Sequence, residues 1–336
     1  MDSLTQIVLG ASVGEAVLGK KIGNRAMLWG AIAGTIPDLD VFLKYIVDDI
    51  TSTEMHRGFS HSLIFCVLMA PILGWIVQKI HKKREPTRKD WNWLFFWALV
   101  THPLLDAHTT WGTQLFWPFE YRVAYKNIFV ADPLYTIPFL LLVLLAMFFK
   151  RTNPKRAKIN KWALIISSSY MALTFVLKTI AHNKFKTALE DQKIEYVEMD
   201  SQPTPLNTIL WSSQVETKTG MRFGSYSLLD SKPIVFHPEI PKKHSLLEPY
   251  MDCKQVQQII KISAGWYYVE KVDDGLLFTD VRFGPMGYEP DSPYMWKYHI
   301  KKNPDGKTVV ERLVFTPGSI NMSKAFSDLT QRIKGN

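Results

Sequence analysis

The chain has 336 residues, 47% of them hydrophobic, and a formal net charge of +9, with a mean hydropathy near zero. That average conceals a change of character near residue 182: residues 1–182 hold 20 basic and 12 acidic residues among dense apolar runs, and residues 183–336 hold 20 and 19. The basic excess falls in short loops between apolar runs, the positive-inside pattern of a membrane protein, which argues against a nucleic-acid partner.

Met1 to Gln6 carries no basic residue ahead of the first apolar run, so the start does not read as a secretory signal peptide. Leu4–Leu18 is apolar but short, contains Glu15, and is rich in small residues suited to close helix packing. An ionisable group within a span usually has a partner, so Glu15 is expected to pair structurally. Ala26–Val47 is long enough to span, yet holds Gly34, Pro37, Asp38 and Asp40. Proline frees backbone groups that protein or water must satisfy, so a break is expected near Asp38. Leu63–Ile80, Trp91–Leu105, Pro133–Phe149 and Trp162–Ile180 follow, each roughly as long as a helix crossing a ~30 Å hydrocarbon core. The expectation is a transmembrane domain of about six helices over residues 1–182.

Lys20, Lys21 and Arg25 follow the first run. Lys79, Lys82, Lys83, Arg84, Arg88 and Lys89 join the third to the fourth, and Lys150, Arg151, Lys155, Arg156, Lys158 and Lys161 join the fifth to the sixth. Only Glu85 and Asp90 oppose them, which places these loops in the cytoplasm. The alternate loops carry Asp38, Asp40, Asp48, Asp49, Glu54, Asp106, Glu120 and Asp132. Alternation then puts the N-terminus outside the cytoplasmic (inner) membrane and delivers residues 183–336 to the same side.

Those residues read as β. Ile194–Met199, Thr208–Thr217, Met221–Leu229, Trp266–Val272, Leu276–Phe283, Met295–Lys301 and Thr308–Phe315 are enriched in β-branched and aromatic residues, and Asp273–Gly275 and Asn303–Gly306 supply turns. A soluble, mostly antiparallel β domain is expected, with no motif for chemistry. Cys66 and Cys253 are expected to be free thiols.

Three polar clusters interrupt the apolar runs: Pro37-Asp-Leu-Asp40, His56-Arg-Gly-Phe-Ser-His61 and His102-Pro-Leu-Leu-Asp106. The topology puts all three at one depth, near the outer interface, and the i, i+4 spacing of His102 and Asp106 puts both on one helical face. Imidazoles with carboxylates form a mixed N/O set suited to Zn²⁺, Mn²⁺ or Fe²⁺, one or two ions, that would activate water. Arg57 could contact a phosphate or carboxylate in bidentate fashion. The loop His108–Ala131 is rich in aromatics, from Trp111 to Phe129, and reads as an interfacial belt or a lipid-facing rim.

Met1-Asp-Ser-Leu-Thr5, Pro37-Asp-Leu-Asp40, His56-Arg-Gly-Phe-Ser-His-Ser62 and Thr101-His-Pro-Leu-Leu-Asp106 together resemble the bacterial YdjM-like family of membrane-bound metal-dependent hydrolases, over about residues 1–180. That family is similar to the helical phospholipase C and P1 nuclease superfamily, which uses zinc clusters on phosphoesters. The resemblance implies Asp38, Asp40, His56, His61, His102 and Asp106 as metal ligands; Arg57 and Ser60, within the same motif, are the expected catalytic groups. Gln6 stands where many relatives carry histidine, and an amide is the poorer ligand. The function expected is hydrolysis of a phosphoester or lipid-linked bond, with membrane lipids as partners. Two other classes are a metal-stapled protein whose β domain binds an external partner, and a metal transporter.

Overall fold

The structure, a computed structural model, describes residues 1–81, 85–290, 292–314 and 322–336; Lys82, Lys83 and Arg84 of the basic loop and Phe315 at the end of the last expected strand lie outside the described residues. The chain divides into two compact units. One comprises Met1–Leu43, Met55–Val176 and Pro205–Asn207, and the other Lys44–Glu54, Leu177–Thr204 and Thr208–Asn336.

The first unit is helical. Helix α1 (Ser3–Ile22) starts where the Asp2 side chain accepts from the Thr5 N–H, and ends at Gly23, whose φ of 62° suits glycine. Helix α2 (Asn24–Thr35) packs against α1 through small residues. A Cβ on Gly10 would lie 2.3 Å from the Gly30 carbonyl oxygen, and one on Gly14 would lie 2.2 Å from that of Ala26. Backbones this close require residues spaced four apart with no side chain between them. Helix α2 stops at Thr35, and a 3-10 segment over Pro37–Tyr45 continues at a 44° bend, the break that Pro37 led us to expect.

After α3 (Asp49–Met55) and a short 3-10 turn at Phe59–His61 come α4 (Leu63–His81), α5 (Arg88–Asp106), α6 (Pro133–Met147) and α7 (Pro154–Asp191). Thr87 and Asp90 cap α5 reciprocally, and Asp132 caps α6. The expectation of about six membrane helices is therefore corrected. The described N-terminal residues form seven α-helices and two 3-10 segments. Among the described residues α4 and α7 are long and apolar enough to cross a membrane, and α2 with its bent 3-10 continuation would make a third span if the two count as one. Helices α1 and α5 fall short because each carries polar and charged side chains: Thr5, Gln6, Ser12 and Glu15 on α1, and Arg88, Lys89, Asp90, Asn92, His102 and Asp106 on α5. Helix α4, in contrast, exposes Ile64, Val67, Leu68, Ile72 and Trp75, an apolar face fit for lipid. The core gathers Met27, Trp91, Leu94, Phe95, Leu99 and Phe139. Glu15 has the partner its burial demands, since Arg156 Nε donates to its Oε1 at 2.7 Å.

In the second unit, α7 continues eleven residues past the expected end at Ile180, because Lys, Ala, Leu and Glu in this polar stretch favour helix. Ala181, Phe185 and Leu189 recur every four residues and pack with Trp211 and Val215. The first strand consequently starts later than expected. Strands β1 (Glu198–Pro203), β2 (Leu210–Glu216), β3 (Gly220–Ser227) and β4 (Ile240–Pro241) form one antiparallel sheet in sequence order. Strands β5 (Tyr267–Val272), β6 (Gly275–Asp280), β7 (Trp296–Lys302) and β8 (Thr308–Leu313) form another. Helices α8 (Lys254–Ile262) and α9 (Met322–Ile333) accompany them; the strand pattern alone gave no sign of either. Cys66 and Cys253 are free.

Candidate metal centre

The centre lies in the helical unit and is assembled from three stretches far apart in sequence. The 3-10 segment after α2 supplies Asp38 and Asp40, the corner before α4 supplies His56, Arg57, Ser60 and His61, and the end of α5 supplies His102 and Asp106. Single donor atoms from Asp38, His61, His102 and Asp106 all fall within 4.8 Å of one another. His61 Nε2 lies 3.1 Å from His102 Nε2. Asp38 Oδ1 is 3.4 Å from each of these nitrogens, and Asp106 Oδ2 is 3.5 Å from His61 Nε2 and 3.8 Å from His102 Nε2.

Both imidazoles are fixed from behind. His102 Nδ1 donates to the Gly34 carbonyl at 2.6 Å, an acceptor brought close by the same glycine contact that joins α1 to α2. The Ser60 hydroxyl donates to Asp40 Oδ2 at 3.0 Å, so its oxygen accepts from His61 Nδ1 at 2.9 Å. Nδ1 of each ring is thus engaged from behind and both Nε2 atoms turn inward. With both rings neutral, two nitrogen lone pairs face each other at 3.1 Å beside two carboxylates, an arrangement that a cation between them relieves. The spacing fits a divalent ion: four donors about 2.0–2.2 Å from a common centre lie about 3.3–3.6 Å apart when tetrahedral. Asp106 Oδ2 is buried and faces both His61 Nε2 and His102 Nε2.

The surrounding residues hold this arrangement. Gln6 Nε2 donates to Asp106 Oδ1 at 2.8 Å and to the His102 carbonyl at 3.3 Å, so the residue that departs from the family pattern orients a candidate ligand. The Met1 amino group also lies against Asp106 Oδ1. Arg57 is buried, with Nε 2.8 Å from Asp106 Oδ2 and Nη1 donating to Thr109 Oγ1 at 2.8 Å. Burial pulls its guanidinium down to about 10, which leaves it cationic at neutral pH.

Of the six expected ligands, four donors converge. Asp40 lies behind Ser60, and His56 behind Asp40: His56 Nδ1 meets Asp40 Oδ1 at 2.9 Å and the Arg57 N–H donates to Asp40 Oδ2 at 2.8 Å. Burial holds the His56 imidazole below its ordinary range, against the opposing pull of Asp40. Ser60 stands on the far side of the His61 ring from the four donors. His108 turns away to Asn127 and packs on Tyr125 and Phe175. Thr109 and the Gly34 carbonyl are supporting groups that the motifs did not reveal, whereas Gln6 stood out in the sequence as a poorer ligand and proves to be a donor to Asp106.

A family model described as "YdjM inner membrane protein" matches residues 1–181. Inner membrane protein YbcI of Escherichia coli (strain K12) is 30% identical over 115 residues, which is 34% of this chain and 64% of the length of that relative. No solved structure matches.

Proposed function

The chain belongs to the YdjM family of inner membrane proteins, and from that premise we propose that it is a metal-dependent hydrolase acting on a phosphoester or other lipid-linked bond at the outer face of the membrane. The observation that carries the reading is the set of four donors, Asp38, His61, His102 and Asp106, drawn together at 3.1–3.8 Å along the five edges quoted above. These residues would hold one ion, with zinc favoured over manganese or iron by the nitrogen donors, and for hydrolysis that ion would take water as a further ligand on the side of Asp38, the most exposed of the four. Such an ion supplies Lewis acidity, lowering the pKa of water from 15.7 to about 7 and offsetting charge on a phosphoryl or acyl oxygen.

The protein groups have separate tasks in this reading. Asp40, through Ser60, keeps the His61 proton on Nδ1, and the Gly34 carbonyl does the same for His102. Gln6 and Arg57 hold Asp106 from two sides, and the Arg57 charge favours an anionic substrate. Ser60, one hydrogen bond behind His61, orients the imidazole rather than attacking a substrate. Asp38 has the least buried side chain of the four, at 27% exposure, and marks the side from which a substrate enters. Phe59, Phe116, Trp117 and Phe119 are exposed, and Phe59 meets Trp117 edge to face at 4.9 Å, a surface suited to an amphiphile at headgroup depth. The basic stretches that follow α4 and precede α7 support an orientation with both termini outside the cytoplasm.

The test is turnover by the detergent-purified full chain of a water-soluble phosphodiester and of a lipid phosphoester in mixed micelles. Hydrolysis of either that is lost on chelation, restored by Zn²⁺ and absent in H61A supports the reading. Stoichiometric zinc without turnover of any ester in a phosphoester and acyl-ester panel rejects it. The second reading, a metal that staples the helices, is favoured by the closure of four protein donors around one point, as in structural zinc sites. It predicts that chelation lowers the melting temperature while no ester is cleaved.

A further inference from the structure

Two sets of exposed apolar side chains border the centre, and each runs on from a helix with a face fit for lipid. The first begins on α2, where Leu28 and Ile32, four residues apart on one face, are exposed. Past the bend it continues on the 3-10 segment, where Leu39 and Phe42 are 54% and 55% exposed. At three residues per turn these two stand one above the other, while Pro37 and Asp40 are buried. Leu39, between the two aspartates in sequence, is thus turned out where Asp40 is turned in. Together α2 and this segment are long and apolar enough for one bent span.

The second set surrounds Phe59, whose ring meets Phe65 of α4 edge to face at 5.5 Å and Trp117 at 4.9 Å. Next along the chain, Ile64, Val67 and Leu68 belong to the exposed face of α4. The Leu63 N–H donates to the Leu115 carbonyl at 3.0 Å, which ties the aromatic loop to the head of that helix. Asp40 holds the two sets beside one another, because its Oδ2 accepts from the Ser60 hydroxyl at 3.0 Å and from the Arg57 N–H at 2.8 Å. Leu39 adjoins that junction on one strand of chain and Phe59 on the other. Asp38, the most exposed of the four donors, precedes Leu39 directly. Contiguous apolar surface of this kind marks contact with a membrane or a partner.

We infer that the centre opens sideways into the bilayer, through a portal between the Leu39–Phe42 row and the Phe59–Trp117 pair, and that its substrate is an amphiphile entering by lateral diffusion with its chains still in the membrane. Lipid is the occupant because both rims continue the outward faces of elements long enough to span, α4 and the bent pair of α2 and its 3-10 continuation. Leu39 and Phe42 then contact the chains rather than the reacting bond, and they select for a membrane-anchored ester over a soluble one. The choice of substrate rests on the proposed hydrolysis, whereas the portal is a property of the fold.

The experiment has two arms on the full-length protein. In the first, nitroxides on I32C, F42C and I64C in a C66A/C253S background are reconstituted in phosphatidylcholine–phosphatidylglycerol nanodiscs, and their power saturation is measured with O₂ and with a water-soluble nickel chelate. All three are expected to favour O₂ over nickel, against K232C as the water-exposed control. A label at F42C as open to nickel as the one at K232C overturns the portal. In the second arm, L39S/F42S is expected to cleave a diacyl phosphoester in mixed micelles with kcat/KM lower by about tenfold, with unchanged zinc content and unchanged cleavage of a water-soluble phosphodiester. An equal fall on both esters, or none on either, overturns lateral entry. Should L39S/F42S lose its zinc, F42S alone decides by the same criterion. Absence of turnover of either ester by the unaltered, zinc-loaded protein rejects the hydrolysis and with it the substrate, and the nitroxides then decide the portal by themselves.

Discussion

At the scale of single residues, the centre turns on which nitrogen of each histidine carries the proton. His102 is held by a carbonyl and His61 by a hydroxyl that itself leans on Asp40, so both present Nε2 to the same point. The motifs made the six acid and histidine residues legible but could not separate the four inner donors from the outer pair. Asp38 and Asp40 lie two apart on a 3-10 segment, where three residues make a turn. Side chains at that spacing cannot both face one ion, and that geometry is visible only once the segment is known to stay helical past Pro37. The distinction is testable. D38N is expected to abolish stoichiometric zinc in the purified protein, whereas D40N is expected to retain it with affinity reduced by about 10–100-fold, as for an outer-shell carboxylate. Equal loss in both, measured by competition with a chromophoric chelator, would place Asp40 among the ligands.

At the scale of elements, two features hold the site in place. The first is the glycine contact between α1 and α2, which brings the Gly34 carbonyl to His102. The small-residue spacing was legible, but its partner was not, because nothing local says which helix a glycine face meets. G30L puts a side chain where a Cβ already lies 2.1 Å from the Gly10 carbonyl oxygen. It is expected to cost on the order of 1–3 kcal/mol or more, read as a lowered melting temperature in detergent together with loss of bound metal. The second is Glu15, which joins α1 to the first turn of α7 through Arg156. E15A leaves a buried guanidinium unpaired and is expected to destabilise the protein by about 3–5 kcal/mol, whereas E15A/R156L is expected to regain much of that loss. If the double variant is no more stable than the single one, the pair is not the origin of the cost. The end of α7 was legible only in part: apolar content stops near Ile180, but the helix continues because Ala181, Phe185 and Leu189 find a β-domain core to cover.

At the scale of the whole molecule, charge patterning carries more than apolar length does. Apolar length and composition single out α4 and α7, whereas the placement of lysine and arginine bears on orientation whichever helices cross. The proposed orientation predicts a labelling pattern. In a C66A/C253S background, K232C on the second unit is expected to react with a membrane-impermeant maleimide in spheroplasts, and K155C at the start of α7 only after lysis. Reaction of K155C in intact spheroplasts, with K232C protected, would invert the topology.

The central claim is that Asp38, His61, His102 and Asp106 hold a divalent ion. Metal analysis of the full-length protein, purified in detergent without chelators, tests it most directly when set beside H61A and H102A. The account predicts close to one zinc per chain in the unaltered protein and less than a tenth of that in either variant, with the helical circular dichroism retained. Metal content near zero in the unaltered protein after equilibration with Zn²⁺, or equal content in all three, would contradict it.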